Sequence, residues 1–398
     1  MPRKKKQETE GMSLTEGALA SSLKEKLISK WGDMAQVARK SSQRRFIGLK
    51  SPSLLFEYLI ANSVFPLGKV VQLYGEPKVG KSGVSFAFGD LFLRQGGYVI
   101  ILDTENKLNE DWLSSIVDEQ YLDRVIITPC QTVDEWQTKV TDSIKLVRRE
   151  FKSLATKHGG SGMLFPVLIV VDSISGVAFG KSAETILKRG FADREFPAEA
   201  LSISRYLKVI SPEIARLPVT LLLVNHWKPG KDDKGKLIDH RPGGKAPDFH
   251  TSFSFLVQAL KKYRSGATHY NMLKMTCTHN SFGEDKRSVA VRLEWKFDDE
   301  GQQRTRLNFG RALIEFLLGL EGSVGTRVKK LLGLGEVRTG VSFATELGIG
   351  RKDAVSHGDL AQVIESNGEV LEELRKILSI RKGIEYKAGD DYEQLLVG

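Results

Sequence analysis

Short apolar segments alternate with amphipathic segments through the middle of the chain. Five apolar runs are rich in β-branched residues and nearly continuous: Val70–Tyr74, Tyr98–Leu102, Arg124–Thr128, Val167–Val171 and Val219–Val224. Runs of this kind are typical of parallel strands that helices cover on both faces. The intervening segments have helical periodicity, at 83–95, 133–150 and 198–216. The pattern therefore predicts an α/β, doubly wound domain.

The pattern changes toward the carboxyl terminus. Two segments near 270–278 and 288–297 alternate apolar and polar residues, with Gly283 in the turn between them. They predict an antiparallel hairpin at the edge of the sheet. After about residue 320 no strong strand pattern follows. Helical patterns there, near 324–333, 358–365 and 369–379, indicate a small helical region.

The first residues are polar and charged, and a capping box of Ser13 and Glu16 then opens a helix. One apolar stripe marks this helix: Leu19, Leu23, Leu27, Trp31 and Met34. The stripe packs either on its own core or on a neighbouring subunit. The predicted organisation is a disordered basic tail at 1–12, a helical oligomerisation segment at 13–47, a core at 48–320 and a small C-terminal helical domain at 321–398.

Composition and charge narrow the class of protein. The 398 residues are 41% hydrophobic and 27% charged, as in soluble globular proteins. A net charge of +10 favours a polyanionic partner, although mild basicity is common. Cys130 and Cys277 stand in no paired motif, which argues against a disulfide scaffold or a zinc ribbon. No apolar run approaches the roughly 20 residues of a membrane span, so we expect a cytoplasmic protein without a membrane partner.

A phosphate-binding motif follows the first predicted strand of the core. Residues 75–82 read Gly-Glu-Pro-Lys-Val-Gly-Lys-Ser and match the P-loop pattern between a strand and a helix. In such a loop Lys81 neutralises the β- and γ-phosphates and Ser82 ligates Mg²⁺. ATP and Mg²⁺ are therefore the expected cofactors. The predicted nucleotide-binding residues here are Gly75, Glu76, Pro77, Lys78, Val79, Gly80, Lys81, Ser82 and Gly83.

Polar residues end three other predicted strands. Asp172 can hold the Mg²⁺ ion, or it can start a turn or cap a helix. Asp103 and Glu105 follow another strand, and either carboxylate could orient and deprotonate an attacking water, or be a loop acid with no role. His226 could sense a γ-phosphate, although a single histidine is more often structural.

These four elements, in this order and spacing, resemble the RecA recombinases, and the phage UvsX-type branch in particular. The resemblance runs from Leu49 to about residue 310 and is carried by the P-loop with Asp103-Thr-Glu105, Val170-Val-Asp-Ser-Ile174 and Val224-Asn-His226. It implies a RecA-type P-loop ATPase core. The implied activity is ATP hydrolysis that depends on DNA and is coupled to strand exchange.

The resemblance also implies roles for individual residues. Glu105 would be the catalytic carboxylate, acting with Lys81, and His226 would link the γ-phosphate to a DNA-binding loop. Trp112 falls where the family places an aromatic ring against adenine, and a buried core tryptophan is the competing interpretation. Two loops, 177–196 and 227–247, would bind DNA. The predicted DNA-binding residues are Lys188, Arg189, Lys228, Lys231, Lys234, Lys236, Arg241 and Lys245.

The second predicted loop is basic, with six Lys or Arg against three Asp over 227–245. Its glycines and prolines predict an irregular segment suited to the backbone of single strands, and a solvated surface loop is the alternative. The chain departs from the bacterial proteins at 278–281. They carry lysines there that reach over the neighbouring subunit's ATP. This chain has none, although Lys286 and Arg287 lie close by.

The expected partners are single-stranded DNA, homologous duplex DNA and further copies of the chain in a helical filament. Mediator and single-strand-binding proteins are additional candidates. The expected location is the cytoplasm, which would be that of the host if a phage encodes the chain. Two other functions stay open: a ring-forming ATPase of the replicative-helicase kind, and a non-catalytic accessory paralogue in recombination.

Overall fold

The chain was analysed as a computed structural model, which describes residues 26, 46–108, 110–157, 165–177, 196–231, 237–240, 246–265, 268–297, 303–332, 335–337, 340–342, 357–387 and 390. One compact unit spans Phe46–Tyr392. The predicted tail at 1–12 and the predicted helical segment at 13–47 lie outside the described residues, apart from Lys26 and the last two positions.

The described strands are β1 (Ile47–Lys50), β2 (Val64–Pro66), β3 (Lys69–Gly75), β4 (Tyr98–Asp103), β5 (Val125–Pro129), β6 (Val167–Asp172), β7 (Val219–His226), β8 (Lys228–Lys231), β9 (Leu237–His240), β10 (Phe253–Ser265), β11 (Thr268–Asn280), β12 (Ser288–Phe297), β13 (Gln303–Asn308), β14 (Gly335–Val337), β15 (Gly340–Ser342) and β16 (Ile384–Glu385).

The described helices are α1 (Leu54–Ile60), α2 (Lys81–Arg94), α3 (Glu110–Ile116), α4 (Val133–Lys157), α5 (Phe196–Ile214), α6 (Ala246–His250), α7 (Phe309–Gly319), α8 (Gly322–Leu332), α9 (His357–Ser366) and α10 (Gly368–Ile377), with a 3₁₀ helix at Glu119–Arg124.

Nine strands form the central sheet, in the order β13-β12-β11-β10-β3-β7-β6-β4-β5. The six strands from β10 to β5 are parallel, and β10 to β13 are antiparallel neighbours. The register places Gly75 opposite His226, and Asp103 opposite Asp172. The prediction of an α/β fold with a mostly parallel sheet and an antiparallel edge is confirmed. The carboxyl ends of β3, β7, β6 and β4 consequently share one edge.

Helices cover both faces of the central strands β3, β6 and β7, which explains why those strands are largely apolar and buried. The edge strand β5 is less covered, and Ile126 is 52% exposed there. On one face Trp136 of α4 and Ile203 of α5 pack with Ile169 and Leu221 of the sheet. On the other face α2 contributes to an aromatic cluster made of Phe56, Phe65, Phe88, Phe92 and Phe255. Burial of each such side chain contributes about 2 kcal/mol, so this core holds the sheet edge in place.

The strands β3 to β7, β11 and β12 lie where the apolar pattern predicts them, with ends displaced by at most two residues. Residues after 320, where the sequence shows no strong strand pattern, contain three short strands. Short strands β14 and β15 pair with each other, and Ile384 of β16 pairs in parallel with Ile47 of β1. A strand of two or three residues shows no periodicity, so the pattern cannot indicate it.

Polar contacts join the C-terminal helices to α1. Arg375 of α10 pairs with both carboxylate oxygens of Glu57, at 2.6 and 2.7 Å. Glu365 of α9 accepts the backbone N–H of Leu54 at 2.9 Å. Burial raises the pKa of Glu57, and the Arg375 guanidinium offsets part of that effect. Residues 357–387 are therefore anchored to the core, while the predicted domain boundary at 320 stays a prediction.

We expect Arg375→Ala to lower the free energy of unfolding by about 3 kcal/mol at pH 7, because it leaves the buried Glu57 carboxylate without its cation. Urea denaturation measures the change. Lys376→Ala is the matched control, since the 71% exposed Lys376 pairs with Glu373 at the surface. The control should cost less than about 1 kcal/mol. Equal denaturation midpoints for the two variants would contradict the anchoring role.

Candidate nucleotide-binding site

The P-loop needs its glycines for identifiable reasons. Gly75 ends β3 so close to β10 that a Cβ atom would lie 2.2 Å from the carbonyl oxygen of Val257. Gly80 caps α2 at a φ of +105°, which favours glycine. Val79 is buried between them, whereas residues 76–78 are exposed. The loop therefore turns sharply at the sheet edge and leads into the amino end of α2, where anions are stabilised.

Lys81 is buried, with 5% of its surface exposed. Its Nζ donates to the carbonyl oxygens of Gly75 at 3.0 Å and Glu76 at 2.8 Å. Burial lowers the pKa of Lys81 to about 8, although the carboxylates of Asp172 and Glu105 work in the opposite direction. This amine is held by neutral oxygens of its own loop, so phosphate oxygens could compete for it.

Asp172 ends β6 beside the start of α2, and the Ser82 hydroxyl donates to its carboxylate. Burial raises the pKa of Asp172 to about 6, and the nearby negative charge of Glu105 adds to the increase. The two side chains fit a Mg²⁺ ion, which usually takes one or two protein oxygens and keeps phosphate and water as its other ligands. In the part of the chain that the structure describes, no cluster of three or more His, Cys, Asp or Glu side chains could hold a metal ion.

The two acids at the carboxyl end of β4, Asp103 and Glu105, have different contacts. The Asp103 carboxylate accepts the backbone N–H groups of Glu105 at 3.1 Å and Leu108 at 3.0 Å, so it holds the loop. The Glu105 carboxylate instead accepts a hydrogen bond from the Ser173 hydroxyl at 3.0 Å and lies 3.0 Å from His226 Nε2. Geometry thus favours Glu105 over Asp103 as the acid that faces the candidate site.

Burial alone would raise the pKa of Glu105. Hydrogen bonds from Lys107, His226 and Ser173 outweigh it and lower the pKa to about 2. Glu105 is therefore ionised at neutral pH, as a proton acceptor must be, although strong donors reduce its basicity.

His226 lies between the lysine of the P-loop and the carboxylate of Glu105. Its Nδ1 lies 3.2 Å from Lys81 Nζ, and its Nε2 faces Glu105. The next residue, Trp227, donates its backbone N–H to the carbonyl oxygen of Gly75 at 2.9 Å. The basic segment after β7 therefore starts beside Gly75, the first residue of the P-loop. His226 lies just before it, between Lys81 and Glu105.

No individual role was predicted from the sequence for three residues of this arrangement: Thr104, Lys107 and Ser173. The Ser173 hydroxyl holds Glu105, and the peptide bond between Asp172 and Ser173 is cis. The Thr104 hydroxyl donates to the Ser173 carbonyl oxygen and accepts the Ser173 N–H, both at 2.7 Å. Lys107 forms an ion pair with the second oxygen of Glu105. Each of them follows a strand, which is a weak indication of a role. The contacts of Ser173 with Thr104 and Glu105 join residues far apart in the chain, whereas Lys107 is two residues from Glu105.

The predicted DNA-binding residues lie mostly outside the described residues. This holds for Lys188, Arg189, Lys234, Lys236, Arg241 and Lys245, and for the side chain of Trp112, whose backbone lies on α3. Lys228 and Lys231 lie on β8, which pairs with β9 in an antiparallel ribbon. The expectation of an irregular segment is wrong for these two strands. A two-stranded ribbon consists of edge strands only, and edge strands tolerate Pro229.

Lys286 and Arg287, the two basic residues close to 278–281, differ in their exposure to solvent. Arg287 is buried and donates to the carbonyl oxygens of Tyr58 at 3.3 Å and Leu378 at 3.1 Å, while it also pairs with Glu284. Arg287 is thus occupied within its own chain. Lys286 is exposed, at a φ of +65°.

The fold is an α/β fold with a mostly parallel sheet and a candidate nucleotide site at one edge, and comparison with known proteins narrows the class. The chain is 21% identical over 338 residues to Protein RecA of Malacoplasma penetrans. The aligned residues cover 83% of this chain and 86% of that protein. It is 22% identical over 219 residues to Protein RecA of Mesomycoplasma hyopneumoniae and 20% identical over 237 residues to that of Rhodopirellula baltica. These similarities support a relationship to the RecA family.

The extent of the similarity differs between relatives. The chain spans 57% of the length of the Mesomycoplasma hyopneumoniae and Rhodopirellula baltica proteins, which match 54% and 59% of this chain. No family model matches the chain. Among the helices in the described residues, none has the length and apolarity needed to cross a bilayer.

Neutralising Asp172 should stabilise the protein in the absence of nucleotide and Mg²⁺. Its folded pKa of about 6 lies above its ordinary value of 3.8, so ionisation costs folding energy above about pH 6 and nothing below about pH 4. We expect Asp172→Asn to raise the free energy of unfolding by about 2 kcal/mol at pH 8, with the gain disappearing near pH 4.

Urea denaturation at the two pH values measures this gain. Asp142→Asn is the control, because Asp142 is 65% exposed on α4 and pairs with Lys145. It should change stability by less than about 0.5 kcal/mol at either pH. If Asp172→Asn is less stable than the parent protein at pH 8, the conclusion that burial of the Asp172 carboxylate costs folding energy is wrong.

Proposed function

We propose that this chain is a RecA-type recombinase, an ATPase that depends on DNA, assembles into filaments on single strands and pairs them with a homologous duplex. The observation that carries the proposal is the position of His226. Its ring contacts both Lys81 and Glu105, and the following N–H is bonded to Gly75 of the P-loop. A nucleotide site and the start of a basic segment therefore share one set of contacts.

In the proposed reaction, residues 75–83 bind the phosphates of ATP and Lys81 neutralises the charge that develops on them. Ser82 and Asp172 hold Mg²⁺, which supplies further neutralisation when bound. Glu105 accepts a proton from the water that attacks the γ-phosphate. Trp112 packs against the adenine ring. Catalysis is then mainly positioning and electrostatic stabilisation.

Nucleotide state would set the affinity for DNA through His226. A γ-phosphate between Lys81 and Glu105 changes the partners of the imidazole, and His226 leads directly into the 227–247 segment. Lysines and arginines of this segment and of 177–196 would contact DNA phosphates. Base pairing between strands, rather than side chains, would read the sequence, and binding should weaken steeply with salt.

The proposal includes several finer assignments. Histidine at 226 supports the phage UvsX-type branch, because the bacterial proteins carry glutamine at the matching position. We assign the apolar stripe of 13–47 to the contact between neighbouring subunits and 321–398 to a small C-terminal domain. Mediator and single-strand-binding proteins are proposed partners, and the cytoplasm is the proposed location. RecA-named relatives are the support for the recombination role.

The decisive experiment measures ATP hydrolysis with and without single-stranded DNA, combined with electron microscopy. We expect DNA to stimulate hydrolysis, ATP and DNA to produce long helical filaments, and Lys81→Ala to abolish turnover. Equal hydrolysis with and without DNA, and no filaments, would refute the proposal. Closed rings would indicate the replicative-helicase class, and DNA binding without hydrolysis would indicate an accessory paralogue.

Neutralising the second DNA-binding segment should weaken DNA binding. We expect the quadruple change of Lys228, Lys231, Lys234 and Lys236 to alanine to lower affinity for an oligonucleotide. The slope of log affinity against log salt should flatten by about 0.7 for each DNA phosphate that the variant no longer neutralises. Fluorescence anisotropy across a salt series measures both quantities.

The charge-matched control for that variant replaces four exposed C-terminal lysines with alanine: Lys329, Lys330, Lys376 and Lys382. It should leave the salt slope near that of the parent protein. If the two quadruple variants lose affinity equally, net charge alone accounts for binding and the segment is not the DNA site.

A further inference from the structure

Lys107 is a second cation at the candidate nucleotide site. Its side chain is 73% exposed, while its Nζ pairs with one oxygen of the Glu105 carboxylate. The other oxygen of Glu105 is occupied by His226 and Ser173. The P-loop pattern and the strand-end acids do not include this lysine. Its position is decided by the turn after β4, which Asp103 holds by accepting the N–H groups of Glu105 and Leu108.

Lys107 lies within the electrostatic field of the phosphate pocket. Its ammonium lowers the pKa of Lys81, and the carboxylates of Asp172 and Asp103 act on Lys107 in the opposite sense. A continuous series of contacts leads from Lys107 through Glu105 and His226 to Lys81. Lys107 is thus separated from the P-loop lysine by one carboxylate and one imidazole.

We propose that Lys107 is a triphosphate-sensing residue, which pairs with Glu105 in the free protein and moves to the γ-phosphate when a nucleoside triphosphate binds. The inference rests on the proposed nucleotide site and adds a residue to it. A γ-phosphate carries more negative charge than a carboxylate, and Lys81 and the P-loop would place it at this edge of the sheet. The flexible, exposed stem of a lysine allows its ammonium to exchange partners.

The exchange would couple binding to chemistry. With Lys107, His226 and Ser173 all bonded to it, Glu105 is ionised but weakly basic. Transfer of the ammonium to the γ-phosphate removes the strongest of these donors, so Glu105 becomes a better acceptor when there is a γ-phosphate to hydrolyse. A diphosphate lacks that group and leaves Lys107 on Glu105. Lys107 would therefore discriminate ATP from ADP.

The competing explanation is an ordinary surface ion pair, since exposed pairs usually contribute little. The two explanations differ in what they predict for the two nucleotides. A surface pair without a role predicts the same affinity change, or none, for ATP and ADP. If Lys107 binds the γ-phosphate, its replacement should change the affinity for the triphosphate alone.

Isothermal titration calorimetry of the full chain with Mg²⁺ tests the inference, using ADP and a non-hydrolysable ATP analogue as probes. We expect Lys107→Ala to weaken binding of the analogue by about 10-fold, the loss expected for one charge-assisted hydrogen bond, while ADP affinity stays within about 2-fold. Lys107→Arg should restore the preference for the triphosphate, because it keeps a mobile cation at this position.

Lys376→Ala is the matched control, because Lys376 is 71% exposed and also pairs with a glutamate. It should change neither affinity. Equal losses for the analogue and ADP in Lys107→Ala, or no loss for either, would overturn the role of Lys107 while leaving the nucleotide site intact. If the parent protein bound neither probe, the proposed function itself would fail, and this inference with it.

Discussion

A buried lysine amine that must find oxygen and nitrogen partners organises the whole edge of the sheet. Lys81 has almost no access to solvent, and its Nζ is held by two loop carbonyl oxygens and by His226. Burial weakens its hold on the proton, so the carboxylates of Glu105 and Asp172 are needed nearby to keep it charged. The P-loop, the acidic strand ends and the histidine are therefore parts of one electrostatic unit.

That unit is costly for the fold, and an apolar core compensates for it. Asp172 is buried at an elevated pKa, and three donors surround the partly buried carboxylate of Glu105. The strands beneath them are covered on both faces, by Trp136 and its neighbours on one side and by the phenylalanine cluster on the other. Groups that would bind phosphate and metal thus destabilise the protein when neither is bound, as is common where function requires concentrated charge.

Much of this architecture could be predicted from local pattern. Continuous β-branched runs indicated the parallel strands, and the spacing of Gly75, Gly80 and Lys81 indicated the P-loop between a strand and a helix. The sequence could not decide which of the two acids at the end of β4, Asp103 or Glu105, faces the candidate site, because both lie at the end of the same strand. Contacts decided between them: Asp103 accepts two backbone N–H groups of its own loop, while Glu105 faces His226.

The sequence by itself determined the order of the core strands and helices along the chain, the P-loop motif of residues 75–82 and the positions of acids at strand ends, because each depends on residues close together in the chain. Tertiary structure alone decided two partners of Glu105: His226 at the end of β7 and Ser173 directly after β6. It also decided the ion pair of Glu57 with Arg375, 318 residues away, and the burial of Arg287. Periodicity records which face of an element is apolar, and it contains no information on which distant side chain will meet that face.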